Sequence, residues 1–248
     1  MKILVCVSNV PDTTTKIRFS DPKTFDAAGV QWIINPWDEL ALTRAVEFRE
    51  TIPAFVEKVT VINIGPALTE ATLRKALAIG ADDAIRVNQD PKDAYAVAFQ
   101  IAEAIKNDGY DMILCGVESS DYNGFGVGGM LAELLDIPSL GAVSGLNING
   151  SDVVVDRDID GGKEVMNVQL PVLLVVQKGI AKDARIPSMR GIMTARTKPL
   201  VVKEATACEV YTEILSFDLP QAKAKCKMID AENLPELVRV MHEEFKAF

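Results

Sequence analysis

Glycine recurs at positions 124, 126, 128 and 129 of the segment Gly116 to Gly129, just ahead of the helical pattern Met130, Leu131, Leu134 and Leu135. Free backbone N–H groups at such a helix start can cradle an anion, and residues without a side chain let a phosphate approach the main chain. The spacing reads as a phosphate-binding turn, with Asp121 placed to accept from a ribose hydroxyl. A loop that holds no ligand, and a carboxylate that merely closes a turn, account for the same residues. Asn35 is equally two-sided, as a helix cap or as a ligand contact. Two better-known phosphate loops do not fit. Ser8-Asn9-Val10-Pro11-Asp12 replaces G-x-G-x-x-G after the first strand, and no Lys-Ser or Lys-Thr follows the later glycines.

Other chemistry is poorly supplied. The single histidine, His242, falls in a terminal amphipathic pattern, so a metal centre or a histidine-based triad lacks its usual parts. Cys6, Cys115, Cys208 and Cys226 are scattered without a C-x-x-C pair, and two of them lie in apolar runs where cysteine packs as a small hydrophobe. Binding is favoured over catalysis, and no metal is expected. A net charge of −9 argues against nucleic acid, whose phosphates call for clustered Lys and Arg. No apolar run approaches the roughly 20 residues needed to span a bilayer, and Met1-Lys2 leads straight into a strand pattern, so a cytoplasmic protein is expected.

The elements that must position the glycine turn are legible as two periodicities. Ile3–Val7, Val59–Ile64, Met112–Cys115 and Val172–Val176 are almost continuously apolar, as strands covered on both faces are. Helical patterns lie between them. One starts at Asn35-Pro36 with Asp38 and Glu39 in its first turn; a second carries Leu73, Ala76 and Leu77 and ends at Gly80, read as a left-handed cap. A third runs from Asp93 to Gly109 with Ala94, Val97, Ala98, Ile101 and Ile105 as its stripe. The alternation predicts an α/β fold with a doubly wound, mainly parallel, Rossmann-like sheet. Two hairpins are expected as insertions: Lys16–Ser20 with Val30–Ile34, and Val153–Arg157 with Val165–Val168 around Asp160-Gly161-Gly162. The predicted organisation is an α/β domain over 1–192 and an arm over 193–248. The arm ends in a helix from about Ala231 with Leu234, Leu237, Val238, Met241 and Phe245 on one side. Ligands of such sheets lie beyond the strand carboxyl ends, where Cys6–Asp12, Ile64-Gly65-Pro66 and Gly116–Gly129 should converge.

Several segments together resemble the beta subunit of electron transfer flavoproteins over nearly the whole chain: Lys2 to Val7 with Pro11-Asp12, Asn35-Pro36-x-Asp38-Glu39, and Ala78 to Ala84. The most specific is Val155 to Met166 followed by Pro171, similar to the family's V-x-R-x-x-[DE]-G-G-x-E with its later proline. The resemblance implies a heterodimer whose larger alpha subunit holds the redox FAD, while this chain holds AMP as a structural, adenine-nucleotide ligand. Carried over segment by segment, the AMP contacts are Cys6 through its backbone, Asn35, Pro36, Trp37 and Asp38, Ile64, and the loop Asp121, Tyr122, Asn123, Gly124, Phe125, Gly126, Val127, Gly128, Gly129, Met130, Leu131 and Ala132. Where family members place polar Gln, Ser or Thr before the helix glycine, this chain has Gly126-Val127-Gly128, which leaves a phosphate to main-chain N–H groups.

The resemblance also implies partners. Gln177 to Ala195 is similar to the loop by which the family docks acyl-CoA dehydrogenases, with Met189 as the apolar anchor and Arg185 and Arg190 beside it. Electrons would then pass through the alpha subunit's flavin towards a flavoprotein-quinone oxidoreductase and the respiratory chain, in fatty acid oxidation. The chain would be an electron-carrier subunit with no catalysis of its own. One branch of the family binds a second FAD in this subunit and splits electrons from NADH. Pro11-Asp12-Thr13 suits that branch, whereas Tyr122 to Gly126 departs from it. A free nucleotide-binding regulatory module and a hydrolase or ligase on the same sheet are the other classes. The first leaves the arm without a dock, and the second lacks a nucleophile or charged phosphate clamp.

Overall fold

The computed structural model describes residues 1–149, 152–223 and 225–248. In chain order the strands are β1 (Lys2–Cys6), β2 (Asn9–Pro11), β3 (Phe19–Asp21), β4 (Thr24–Phe25), β5 (Trp32–Ile34), β6 (Lys58–Ile64), β7 (Asp83–Asn88), β8 (Met112–Gly116), β9 (Ser139–Asn149), β10 (Asp152–Ile159), β11 (Gly162–Val168), β12 (Val172–Val176) and β13 (Leu200–Glu204). The helices are α1 (Pro36–Thr51), α2 (Glu70–Ile79), α3 (Ala94–Ile105), α4 (Gly126–Leu134), α5 (Met189–Ala195) and α6 (Leu234–Arg239). The four apolar runs are the central strands β1, β6, β8 and β12 of a nine-stranded sheet ordered β11-β10-β9-β12-β8-β1-β6-β7-β13. They are parallel to one another, and two buried clusters cover the sheet's faces. One contains Val5, Leu42, Val61 and Leu77; the other contains Leu4, Ile62, Ile101 and Leu131. This is the doubly wound fold that the alternation predicts.

The connections place a switch point between β1 and β8. From β1 the chain steps outward to β6 and β7, then crosses back to add β8 and β12 on the other side of β1. The carboxyl ends of β1 and β8 therefore flank the crevice where loops diverge.

The hairpin around Asp160-Gly161-Gly162 forms as β10 and β11, in register from Val153↔Val168 to Ile159↔Gly162. The other expected pairing does not. Trp32–Ile34 pairs antiparallel with Asn9–Pro11, and Phe19–Asp21 turns back on Thr24–Phe25. Two local forces explain the correction. The Asp21 side chain accepts from the Lys23 N–H at 2.8 Å and closes a tight turn, and the β2–β5 register buries Val10 and Ile34 together.

Further strands escape the apolar pattern. In β7, Asp83 and Arg86 interrupt the run; β9 is mixed with Ser, Gly and Asn; β13 follows a helix-breaking Pro199. Because β13 pairs parallel with β7, residues 200–204, expected in the arm, belong to the sheet. Gly80 does end α2, but with φ 153° and ψ −5° rather than left-handed helical angles. Val46 stands where its Cβ would be, at 2.5 Å.

Beyond β13 the chain folds back over the domain. The Asp93 carboxylate caps α3 through the Ala96 N–H at 2.7 Å and also accepts from the Tyr211 and Thr212 N–H groups at 2.7 and 3.0 Å. Tyr211 packs edge-on against Tyr95, and Phe217 stacks on Phe19. The last helix, α6, widens into a π turn over Val240–Glu244, and Leu234, Leu237, Val238, Met241 and Phe245 remain exposed. No described helix is long and apolar enough to cross a membrane.

Candidate nucleotide site

Asn35 and Asp38, at the start of α1, hold the switch point together. Asn35 is fully buried, yet its side chain makes no cap bond to α1. Its Nδ2 donates to the Glu118 carbonyl at 2.8 Å and its Oδ1 accepts from the Ser120 N–H at 3.2 Å, which fixes the loop after β8. The Asp38 carboxylate accepts from the Ser8 N–H at 2.7 Å and the Gly116 N–H at 2.9 Å, so it bridges the ends of β1 and β8. Burial pushes its carboxyl up to about 6, against the opposing pull of the donors from Ser8, Asn35 and Gly116. Pro36 supplies the fixed φ of the first helical turn, and Trp37 lies beside Gly116, where a Cβ would collide with both Trp37 and Asp38.

At the crevice floor Cys6 and Cys115 occupy neighbouring positions on β1 and β8, both buried and free. Contact with Cys115, followed by burial, raises the Cys6 thiol well above its ordinary value, so it stays protonated. Ile64 ends β6 one strand away and is buried.

The glycine turn divides into two kinds of residue. Asp121 to Phe125 stand in solvent; the Asp121 carboxylate accepts from the Tyr122 N–H at 3.0 Å, and Asn123 turns the chain at φ 52°. The first N–H groups of α4, like those of any helix, have no intrahelical acceptor, and no N-cap side chain accepts from them here. A Cβ added at Gly124 or at Gly129 would meet nothing within 4 Å, so the main chain is open to an approaching ligand at both. Gly128 is different: it is buried, with Val175 Cγ2 at 2.6 Å from where a Cβ would stand. It lets α4 approach β12, and does not leave room there for a phosphate. The sequence held a signal for this, since Gly128 shares the helical stripe of Leu131, Ala132 and Leu135. Met130 is exposed, Val127 half-buried, and Leu131 and Ala132 lie in the core.

The residues expected to dock a partner lie elsewhere. Met189 opens α5 and is 78% exposed. Arg185 forms a bidentate pair with Glu50 of α1, both contacts 2.7 Å, while its N–H donates to Thr43. It fastens the loop to the domain. Arg190 is exposed.

Fold and site define a doubly wound α/β protein with an anion-compatible helix start at its switch point. The sequence model of the electron transfer flavoprotein domain matches residues 23–208. The electron transfer flavoprotein subunit beta of Syntrophomonas wolfei is 37% identical over 233 residues, 94% of this chain and 91% of that protein. The Bacillus subtilis subunit beta is 33% identical over 260 residues, 99% of each chain. The acryloyl-CoA reductase electron transfer subunit gamma of Anaerotignum propionicum is 32% identical over 213 residues, 84% of this chain and 79% of that one. The chain belongs to the electron transfer flavoprotein family, as a beta subunit.

Proposed function

We propose that this chain holds AMP at the β1–β8 switch point and pairs with an alpha subunit that carries the redox FAD. The observation that supports AMP most directly is the uncapped start of α4 beside open space at Gly124 and Gly129, facing strand ends fixed by Asn35 and Asp38. An AMP phosphate would meet main-chain N–H groups at that helix start, and its adenosine would lie towards Cys6 and Ile64. In this reading the chain is a non-catalytic cytoplasmic subunit. It shapes the partner's flavin site and docks acyl-CoA dehydrogenases on residues 177–195, so that the alpha subunit's FAD accepts their electrons and passes them to a flavoprotein-quinone oxidoreductase.

A second reading, with FAD in place of AMP and NADH as donor, is supported by Pro11-Asp12-Thr13, which suits that branch of the family, and opposed by the loop Tyr122 to Gly126, which departs from it. Coexpression with the alpha subunit, denaturation and mass spectrometry of the released nucleotides separates the readings. One AMP and one FAD per heterodimer are expected; two FAD and no AMP select the second reading, and a single FAD alone removes nucleotide from this chain.

A further inference from the structure

Away from the strand ends, a cavity of about 660 Å³ lies between α2 and α5. Ala78, Pro187, Ile192 and Ala195 give it apolar walls, and Arg74, Lys75 and Arg196 line it with positive charge against the one carboxylate of Glu70. Arg74 is held in place by the carbonyls of Ala195 and Lys198, each at 2.9 Å, and by Glu70 at 3.2 Å. Lys75 pairs with Glu39 at 2.9 Å. Arg196 is exposed and forms no ion pair among the described residues, and the same holds for Arg190. Around the cavity Ile186, Met189 and Met193 are 87%, 78% and 71% exposed.

The charge here opposes that of the molecule. Between 178 and 198 the chain carries Lys178, Lys182, Arg185, Arg190, Arg196 and Lys198 against the single acid Asp183, within a protein of net charge −9. A local cationic patch on an acidic body orients an approaching partner of opposite sign. Apolar walls beside the unpaired guanidinium of Arg196, with that of Arg190 on the same helix, suit an occupant that is apolar at its tip and acidic at its flanks.

We propose that this cavity receives an apolar side chain flanked by carboxylates on an acidic face of the redox partner. The inference rests on the docking reading of residues 177–195. Charges left partly in water raise association rate and set its salt dependence without a large desolvation cost, which suits a carrier that must also leave.

The test uses the heterodimer with an acyl-CoA dehydrogenase as electron donor, and reads the carrier concentration that gives half-maximal flavin reduction at low and high salt. For the wild type this concentration should rise with salt. Combined Arg190→Glu and Arg196→Glu should raise it about 10-fold at low salt and flatten the salt dependence. Ile192→Trp, which fills the cavity, should raise it while keeping the salt slope. All three substitutions are at exposed positions, and FAD content and melting temperature verify folding. A charge-reversed pair with wild-type values and slope, alongside an impaired Met189→Ala, would overturn the acidic-partner inference and leave docking intact. An unaffected Ile192→Trp would remove the cavity as the receptor. Wild-type behaviour in Met189→Ala and every other variant would overturn the docking reading itself.

Discussion

Asp38 ties two strand ends with one carboxylate, and its titration makes that contact measurable. In the unfolded chain an aspartate titrates near 3.9, roughly, whereas burial raises this one to about 6. The native state therefore binds the proton more tightly. Stability contributed by the group is fully present below the unfolded value and declines as pH rises through about 6. Urea unfolding compared from about pH 5 to about pH 8 should show the wild type losing roughly 1.4 kcal/mol relative to Asp38→Asn, the part of the linkage that lies between pH 5 and about 6. Parallel profiles would refute the burial argument. The two adjacent glycines offer a sharper separation of packing from binding. Gly128→Val meets Val175 and should cost about 1–3 kcal/mol by overpacking, seen as a lower melting temperature. Gly129→Val extends into open space, so the fold should hold while nucleotide retention falls. Full retention of AMP by folded Gly129→Val would count against the α4 phosphate site.

Asp93 connects two elements that sequence periodicity treats separately, the start of α3 and the returning chain after β13. Its desolvation raises the carboxyl pKa, but donors from Ala96, Tyr211 and Thr212 outweigh this and hold it below the ordinary value. Replacing it by alanine removes a helix cap, a loss of typically about 1 kcal/mol, together with both contacts to residues 211–212. Asp93→Ala should therefore lower the melting temperature slightly and greatly speed proteolysis after Tyr211. Unchanged cleavage would show that the packing of Tyr211 on Tyr95 and of Phe217 on Phe19 holds the segment unaided. Gln100 performs a related task further along α3: buried in the core, it exchanges hydrogen bonds with the Thr206 main chain and fixes where β13 leaves the sheet.

For the whole molecule, the boundary between sheet and arm decides what a truncation tests. A chain ending at Glu204 keeps β13 and should fold with nearly the stability of the full chain, yet fail to assemble with the alpha subunit because the exposed face of α6 is gone. Gel filtration of the coexpressed pair measures this directly, and normal assembly would show that the arm serves only its own domain. A chain ending at Lys198 should also lose stability, since it uncovers the edge of β7. The sequence by itself determined the alternation of four apolar strands with helices, the β10–β11 hairpin and the family. Continuous apolar runs and helix start signals are local features that folding preserves. It could not determine that Asn35 reaches Glu118 and Ser120, or that Asp38 joins Ser8 to Gly116, because those bonds connect residues far apart in the chain. Nor could local pattern assign Trp32–Ile34 to β2, recover β13 at the sheet edge, or tell Gly128, pressed against Val175, from Gly129 in the open. Strand pairing and close approach depend on which surfaces meet, and only the tertiary structure decides that.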